Sequence, residues 1–233
     1  MGLVSLISTV LALEKVLLSW SGGKDSSLSY YEIRHIMDRE IAGLVTTVTQ
    51  DYQRISMHGV RRELLRRQAD AMRLQLYEVM IPKNASNEIY ERQTRKTVLD
   101  IVEREKISQV VFGDLFLQDI RKYREKMFGE LGISCEFPIW GKGTEELANF
   151  FVASGFKAII CCVDPKKIGK EFCGREYDLD LLFDLPVNVD PCGENGEFHT
   201  FVYDGPIFRK KIDVKVGEVV EREGIYFADI LPV

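Results

Sequence analysis

Residues 15–31 read KVLLSWSGGKDSSLSYY, and this stretch restricts the fold of the chain more than any other. Val16, Leu17 and Leu18 form a short continuous apolar run of the kind that makes a buried strand. The run stops at the polar hexapeptide Ser21-Gly22-Gly23-Lys24-Asp25-Ser26. Beyond it Leu28, Tyr30 or Tyr31, Ile33, and Ile36 or Met37 recur at helical spacing, which predicts a helix over residues 26–37. Strand, glycine loop and helix in this order make a cradle for an anion. Adjacent glycines carry no Cβ, so the backbone turns tightly and brings its N–H groups close to a ligand at a helix N-terminus. Lys24 and the hydroxyls of Ser21, Ser26 and Ser27 add donors, each contributing about 1–3 kcal/mol. The spacing is not that of the Walker A loop, which sets four residues between its first glycine and its Gly-Lys pair.

Residues 41–49 read as a second strand ending in Thr46, Thr47, Val48 and Thr49. Strand, helix and strand make a βαβ unit and imply a parallel sheet covered on both faces, with ligands at the carboxyl ends of its strands. The polar residues 50–58 are then a loop at that edge. His58 either faces the ligand there or caps the helix predicted over residues 59–74. That helix sets Arg61, Arg62, Arg66, Arg67 and Arg73 against Leu64, Leu65, Ala69 and Met72. Glu63 and Asp70 interrupt the arginines, as on a solvated face rather than a nucleic-acid groove. A third strand follows at 76–81, a long helix at 88–105, and a fourth strand at 109–112 that runs straight into Gly113 and Asp114. With strands one and four as neighbours, Asp114 binds Mg2+ or orients a substrate group beside the first loop; capping of the next helix is the structural alternative. Arg121 lies one to two helical turns further on, on the side that can return to the site.

Residues 144–154 read as a helix between Thr144 as N-cap and Gly155 as C-cap, and residues 157–163, KAIICCV, as a fifth buried strand. Residues 190–206, DPCGENGEFHTFVYDGP, are the second distinctive stretch, with Glu194, Glu197, His199 and Thr200 inside seven positions. Two carboxylates and an imidazole in a glycine-rich turn coordinate a cation, position an amine or act as a general base. A hairpin with a polar tip reads from the same residues, but such a tip favours Asn, Asp or Ser over glutamate. Residues 210–233 alternate as strands of a small mixed sheet.

The formal net charge of −5 gives no global electrostatic case for nucleic-acid binding. Residues 1–13 are apolar but too short to span a bilayer, carry no basic region and lack a small-residue cleavage site. They read as an extension that packs on the domain or is loosely ordered, and the chain as cytoplasmic. Cys135, Cys161, Cys162, Cys173 and Cys192 form no CxxC pair, so buried free thiols are expected rather than a zinc site or a disulfide scaffold.

In order along the chain, SGGKDS, FGDLFLQDIR at 112–121, FCGRE at 172–176 and CGENGEFHTFVYDGPIF at 192–208 resemble the diphthine-ammonia ligase family of PP-loop ATP pyrophosphatases, over almost the whole stretch from Lys15 to about Phe208. The resemblance implies an α/β fold: a Rossmann-like doubly wound, five-stranded parallel sheet of the adenine nucleotide alpha hydrolase type over residues 1–132. A smaller carboxyl-terminal α+β domain over 133–233 would recognise the substrate, with the strand at 157–163 a candidate to complete the first sheet. It implies an ATP-dependent carbon–nitrogen ligase in which a substrate carboxylate attacks the α-phosphorus, pyrophosphate leaves, and ammonia displaces AMP to give an amide. ATP and Mg2+ are the implied cofactors, and ammonia with diphthine-bearing elongation factor 2 or an unidentified carboxylate the implied partners. A homodimer suits the family, although no heptad or self-complementary stripe marks an interface.

Residue by residue, the resemblance assigns ATP to Ser21, Gly22, Gly23, Lys24, Asp25, Ser26, Ser27, Thr46 and Gly113, and the metal to Asp25 and Asp114. Catalysis falls to Lys24, Asp114, Glu194, Glu197 and His199, and the acceptor to His58, Arg121, Arg175, Glu194, Glu197, His199 and Thr200. One departure stands out: ligases acting on diphthine tend to read GEFET or GEYET, whereas this chain has Gly196-Glu197-Phe198-His199-Thr200. That form resembles a histidine-variant branch of unassigned substrate, so the nucleotide chemistry carries over more safely than the acceptor. Two rival readings remain: an RNA-modifying pyrophosphatase, which predicts a basic groove, and a nucleotide-binding sensor without turnover.

Overall fold

A computed structural model of the chain describes residues 14–55 and 58–233. The apolar segment 1–13, expected to pack on the domain or to be loosely ordered, lies outside the described residues. The first half comprises β1 (Lys15–Ser19), α1 (Lys24–Tyr31) continued by a π turn over Glu32–Ile36, β2 (Glu40–Thr49), β3 (Arg54–Ile55), α2 (Arg62–Met72) and β4 (Leu76–Ile81). Then come α3 (Asn87–Glu105), β5 (Gln109–Val111), α4 (Gln118–Gly129) and β6 (Ser134–Glu136). The second half holds α5 (Thr144–Ala153), β7 (Lys157–Val163), α6 (Leu179–Asp184), β8 (Phe198–Asp204), β9 (Val214–Arg222) and β10 (Ile225–Pro232).

Five strands of the first sheet are parallel: β4 pairs with β2, β2 with β1, β1 with β5 and β5 with β6. Numbered among themselves they run 3-2-1-4-5, the order of a doubly wound sheet, whose switch point falls between β1 and β5. The chain therefore places the loop after β1 beside the loop after β5. The short β3 runs antiparallel to Val48 and Thr49, on the edge of β2 that β1 leaves when it turns away at Ser19.

Alternation along the strands divides the interior. Val16 and Leu18 enter one core and Leu17 the other, as do Leu44 against Val45 and Val111 against Val110. The Leu17 face is covered by α3 and α4 through Val98, Ile101, Met127 and Phe128. The opposite face receives α1 and α2 and is continuous with the second sheet, through Phe201, Val202 and Ala228. Each fully buried Val, Leu, Ile, Met or Phe side chain among these stabilises the fold by about 1.5–3 kcal/mol, so the two sheets are joined through the same core that carries α1.

The strand at 157–163 corrects one expectation. It does not complete the parallel sheet: β7 is an inner strand of a four-stranded sheet ordered β8-β7-β10-β9, paired antiparallel on both sides. A continuous apolar run marks burial on both faces but not the direction of its partners. The fifth parallel strand is β6, one exposed and two half-buried residues on the sheet edge with no apolar run to announce them. Because β6 pairs with β5, residues 134–136 belong with the first sheet, and the division between the sheets falls after residue 136 rather than at 132. Two helix starts also shift. Gly143, not Thr144, is the N-cap of α5, and α2 begins at Arg62, because Gly59 (φ +69°) and the extended N-cap Arg61 (ψ 134°) lie outside helical backbone.

Candidate active site

The loop after β1 has the tight geometry its glycines suggest. Gly22 adopts φ +78°, and a Cβ there would lie 2.7 Å from Oε1 of Gln68; one on Gly23 would lie 3.0 Å from the Thr200 carbonyl oxygen. Gly23 is the N-cap of α1, and the Ser26 and Ser27 hydroxyls donate to its carbonyl at 2.9 and 3.0 Å, while Ser21 Oγ lies 3.2 Å from Ser26 Oγ. The serines therefore shape the cradle from within. The second sheet closes it from outside: the Lys24 amide donates to Thr200 Oγ1 at 3.0 Å, and the Val202 amide to the Gly22 carbonyl at 2.9 Å.

Gln68 on α2 ties these pieces together. Its Oε1 accepts from Trp20 Nε1 at 2.9 Å, and its Nε2 donates to the carbonyls of Gly22 at 3.0 Å and Val202 at 2.6 Å. It is completely buried.

Lys24 is 2% exposed and pairs with both carboxylate oxygens of Asp25, at 2.7 and 2.9 Å. Burial, the largest single influence, would lower its pKa; the charge of Asp25 and, behind it, those of Cys192, Tyr177 and Glu194 together outweigh burial and raise it, so Lys24 remains a cation. Gly113, at the end of β5, lies so close that a Cβ on it would stand 2.9 Å from the Asp25 carbonyl carbon. This contact delivers Asp114 to the cradle, where burial, and then its charge, raise the pKa of Asp25 against the pull of Lys24. Arg124 of α4 holds Asp114, with Nε 2.7 Å from Oδ2 and Nη2 donating to Oδ1 at 3.2 Å, and its guanidinium lies over the Phe112 ring.

The 190–197 loop forms the third wall. Glu197, 3% exposed, accepts on Oε1 from the Asp190 amide at 3.1 Å and from Asn195 Nδ2 at 3.0 Å, leaving Oε2 buried without a partner. Tyr177 anchors the same loop by donating to the Pro191 carbonyl at 2.5 Å, and the Cys192 thiol donates to the Thr144 carbonyl. Burial, then the charges of Asp25, Asp114 and Asp190, raise Glu194 to about 7 against the pull of Lys24. Thus a cation and several carboxylates share one low-dielectric corner. The rings of His58 and His199 stack beside it at 4.2 Å between centroids, inclined by 14°. Burial and the Lys24 charge push His199 down to about 4, and burial, His199 and Lys24 push His58 well below its usual value.

Most residues singled out from the sequence thus meet at one place: the glycine loop, Lys24, Asp25, Gly113, Asp114, Glu194, His58 and His199. Thr46 is buried in β2 one position past Val45, whose carbonyl accepts from the Trp20 amide. Thr200 arrives too, but as a brace for the Lys24 amide rather than a free hydroxyl, and one carboxylate oxygen of Glu197 organises its own loop. Two arginines are placed elsewhere. Arg121 pairs with Glu125 and stacks over Phe137 and Trp140, so Arg124, one turn on, is the residue that reaches Asp114. Arg175 pairs with Asp184 of α6 and lies over Phe172. Gln68 and Trp20 escaped the sequence reading, although Gln68 occupies an inward position of α2, one turn from Leu64 and Leu65. The arginines of that helix are spoken for: Arg61, with Arg54, on Asp229, Arg62 and Arg66 on Glu78, and Arg67 on Glu63.

Among the described residues no cluster of three or more His, Cys, Asp or Glu encloses a metal, no disulfide joins the cysteines, and no helix is long and apolar enough to cross a membrane. Mg2+ differs from metals held by protein groups alone: it takes one or two carboxylates and completes its shell with water and phosphate oxygens. Asp25 and Asp114 fit that demand, and Oδ2 of Asp114 is buried without an aligned hydrogen bond.

Two family models match the chain: a diphthamide synthase N-terminal domain over residues 14–135 and a diphthamide synthase C-terminal domain over residues 143–230. Among curated proteins, the diphthine–ammonia ligase of Rattus norvegicus is 31% identical, covering 90% of this chain and 86% of the rat protein. That of Mus musculus is 32% identical over 77% of this chain and 70% of its own length. The diphthine–ammonia ligase of Schizosaccharomyces pombe is 27% identical over 89% of this chain but only 37% of its own length, so it is a much longer protein. With both halves matched in order, and the rat and mouse relatives similar along most of their length, this chain belongs to the diphthamide synthase family.

Proposed function

We propose that the chain is an ATP-dependent amide ligase: it adenylates a substrate carboxylate with release of pyrophosphate and transfers ammonia to the activated carbon. The observation that carries this reading is the convergence on Lys24 of three loops remote in sequence: the glycine loop, the Gly113-Asp114 turn and the 190–197 loop. Lys24 stays cationic in a buried place, so it interacts strongly with the departing pyrophosphate, and the loop amides at the head of α1 add donors to the same oxygens. Asp25 and Asp114 would hold Mg2+ against the phosphates, where the metal neutralises charge on the leaving group. Glu194, poised near neutrality, takes up a proton as the amide forms.

The acceptor follows from the relatives, which are named for diphthine; here we propose diphthine on elongation factor 2. The RNA-modifying alternative asks for a basic groove, and the ion pairs of the α2 arginines do not supply one. The test is mass spectrometry of the modified peptide after incubating the protein with ATP, Mg2+, ammonium chloride and diphthine-bearing elongation factor 2. Conversion of the carboxylate to the amide, with one AMP per amide, supports the reading. AMP and pyrophosphate without amide would keep the adenylation and discard this acceptor, while no nucleotide turnover would favour a sensor.

A further inference from the structure

The His58–His199 stack has features that the nucleotide chemistry does not require. His58 comes from the turn after β3 of the first sheet and His199 from β8 of the second, so the pair straddles the junction of the two sheets beside Lys24. Among the described residues neither ring takes part in a hydrogen bond or an ion pair, and Nδ1 of His58 is enclosed without a partner. Leaving a buried polar atom unsatisfied is destabilising, and such an atom at the edge of a reaction centre marks a ligand position.

The chemistry of that ligand follows from what surrounds the rings. Lys24 is the charged group whose field reaches both of them, and it disfavours a second cation. A neutral imidazole offers one donor and one acceptor. Ammonia also donates and accepts, so it satisfies the pair whichever ring nitrogen carries the proton. Ammonium only donates and adds charge beside Lys24, whereas a carboxylate only accepts.

We propose that the His58–His199 stack is the ammonia-receiving subsite and that it takes NH3 in preference to NH4+, whose proton stays in the solvent. This assignment rests on the ligase reading for its purpose but not for its test. The chain has three histidines, and His35, exposed on the π turn, is a built-in control. Histidine-labelled full-length protein would be titrated with ammonium chloride, against sodium chloride at equal ionic strength, while the ring nitrogens are followed by NMR. One series is run in alkaline buffer, where much of the ammonium is deprotonated, and one in mildly acidic buffer, where almost none is. The His58 and His199 signals should move with ammonium in the alkaline series alone, while His35 stays still. Unmoved His58 and His199 signals in alkaline buffer, equal shifts in both buffers, or a matching shift of His35 would overturn the subsite. None of these readouts needs turnover, so failure of the ligase reading would appear separately, as absence of AMP.

Discussion

Replacing Gln68 by Leu tests how the phosphate loop is held. The two side chains are similar in size, so the change removes polar atoms without opening a large cavity. Trp20 is 2% exposed and its indole N–H loses its hydrogen-bond partner; orphaning such a donor costs about 1–3 kcal/mol. The Gly22 carbonyl keeps the Val202 amide at 2.9 Å but loses the amide of Gln68, and the Val202 carbonyl loses a 2.6 Å bond. Each of these neutral bonds is worth about 1 kcal/mol net, for a total of about 3–5 kcal/mol. That is a large share of the roughly 5–15 kcal/mol that holds a typical domain together. Urea unfolding followed by far-ultraviolet circular dichroism should show a lower midpoint at unchanged slope, and ATP should bind more weakly even where the variant is fully folded. A loss of less than about 1 kcal/mol, or native ATP affinity, would refute the idea that Gln68 registers the loop against the second sheet.

Gly113→Ala should abolish nucleotide turnover while the protein still folds, because the added Cβ would stand 2.9 Å from the Asp25 carbonyl carbon and push Asp114 away from Lys24; turnover at the wild-type rate would contradict that contact. Asp114→Asn should raise the Mg2+ concentration needed for half-maximal activity about tenfold or more, read from the metal dependence of AMP release; an unchanged dependence would remove Asp114 from the metal site. Glu194→Gln tests the raised carboxyl. Its pKa rises from 4.5 to about 7 in the folded chain, so the folded state binds the proton more tightly than the unfolded state, and Glu194 stabilises less as pH climbs. Relative to wild type, the variant should therefore gain stability between about pH 4.5 and 7 and stay level above, as followed by urea unfolding across that range; a flat difference would place Glu194 in solvent.

Local chemistry was legible in the sequence wherever one segment carries the whole signal. The SGGKDS loop announces its turn because its glycines, its preceding strand and its following helix are contiguous, and Gly113-Asp114 announces itself as the end of a short apolar run. Partners remote in sequence were harder to read. KAIICCV marks a buried strand, yet only the observed pairing with β8 and β10 shows which sheet it joins. Arg121 and Arg124 are equivalent by composition, and the choice between them depends on the pitch of α4 relative to β5, which places Phe137 and Trp140 under one and Asp114 beside the other. Gln68 stood among arginines that drew attention to the solvent face, although a polar residue at an inward position is itself a sign of a buried hydrogen-bond network. The histidines lie far apart in the chain and meet only because the turn after β3 and strand β8 reach the same junction between the two sheets.

In the proposed reaction Lys24 and the loops around it cleave ATP between the α and β phosphates. Phosphorus NMR of ATP with Mg2+, ammonium and diphthine-bearing elongation factor 2 tests it most directly, with the wild-type chain and Lys24→Met compared side by side. AMP and pyrophosphate should form with the wild type and neither with the variant, which should remain folded. ADP and inorganic phosphate from the wild type, or undiminished AMP from Lys24→Met, would contradict it.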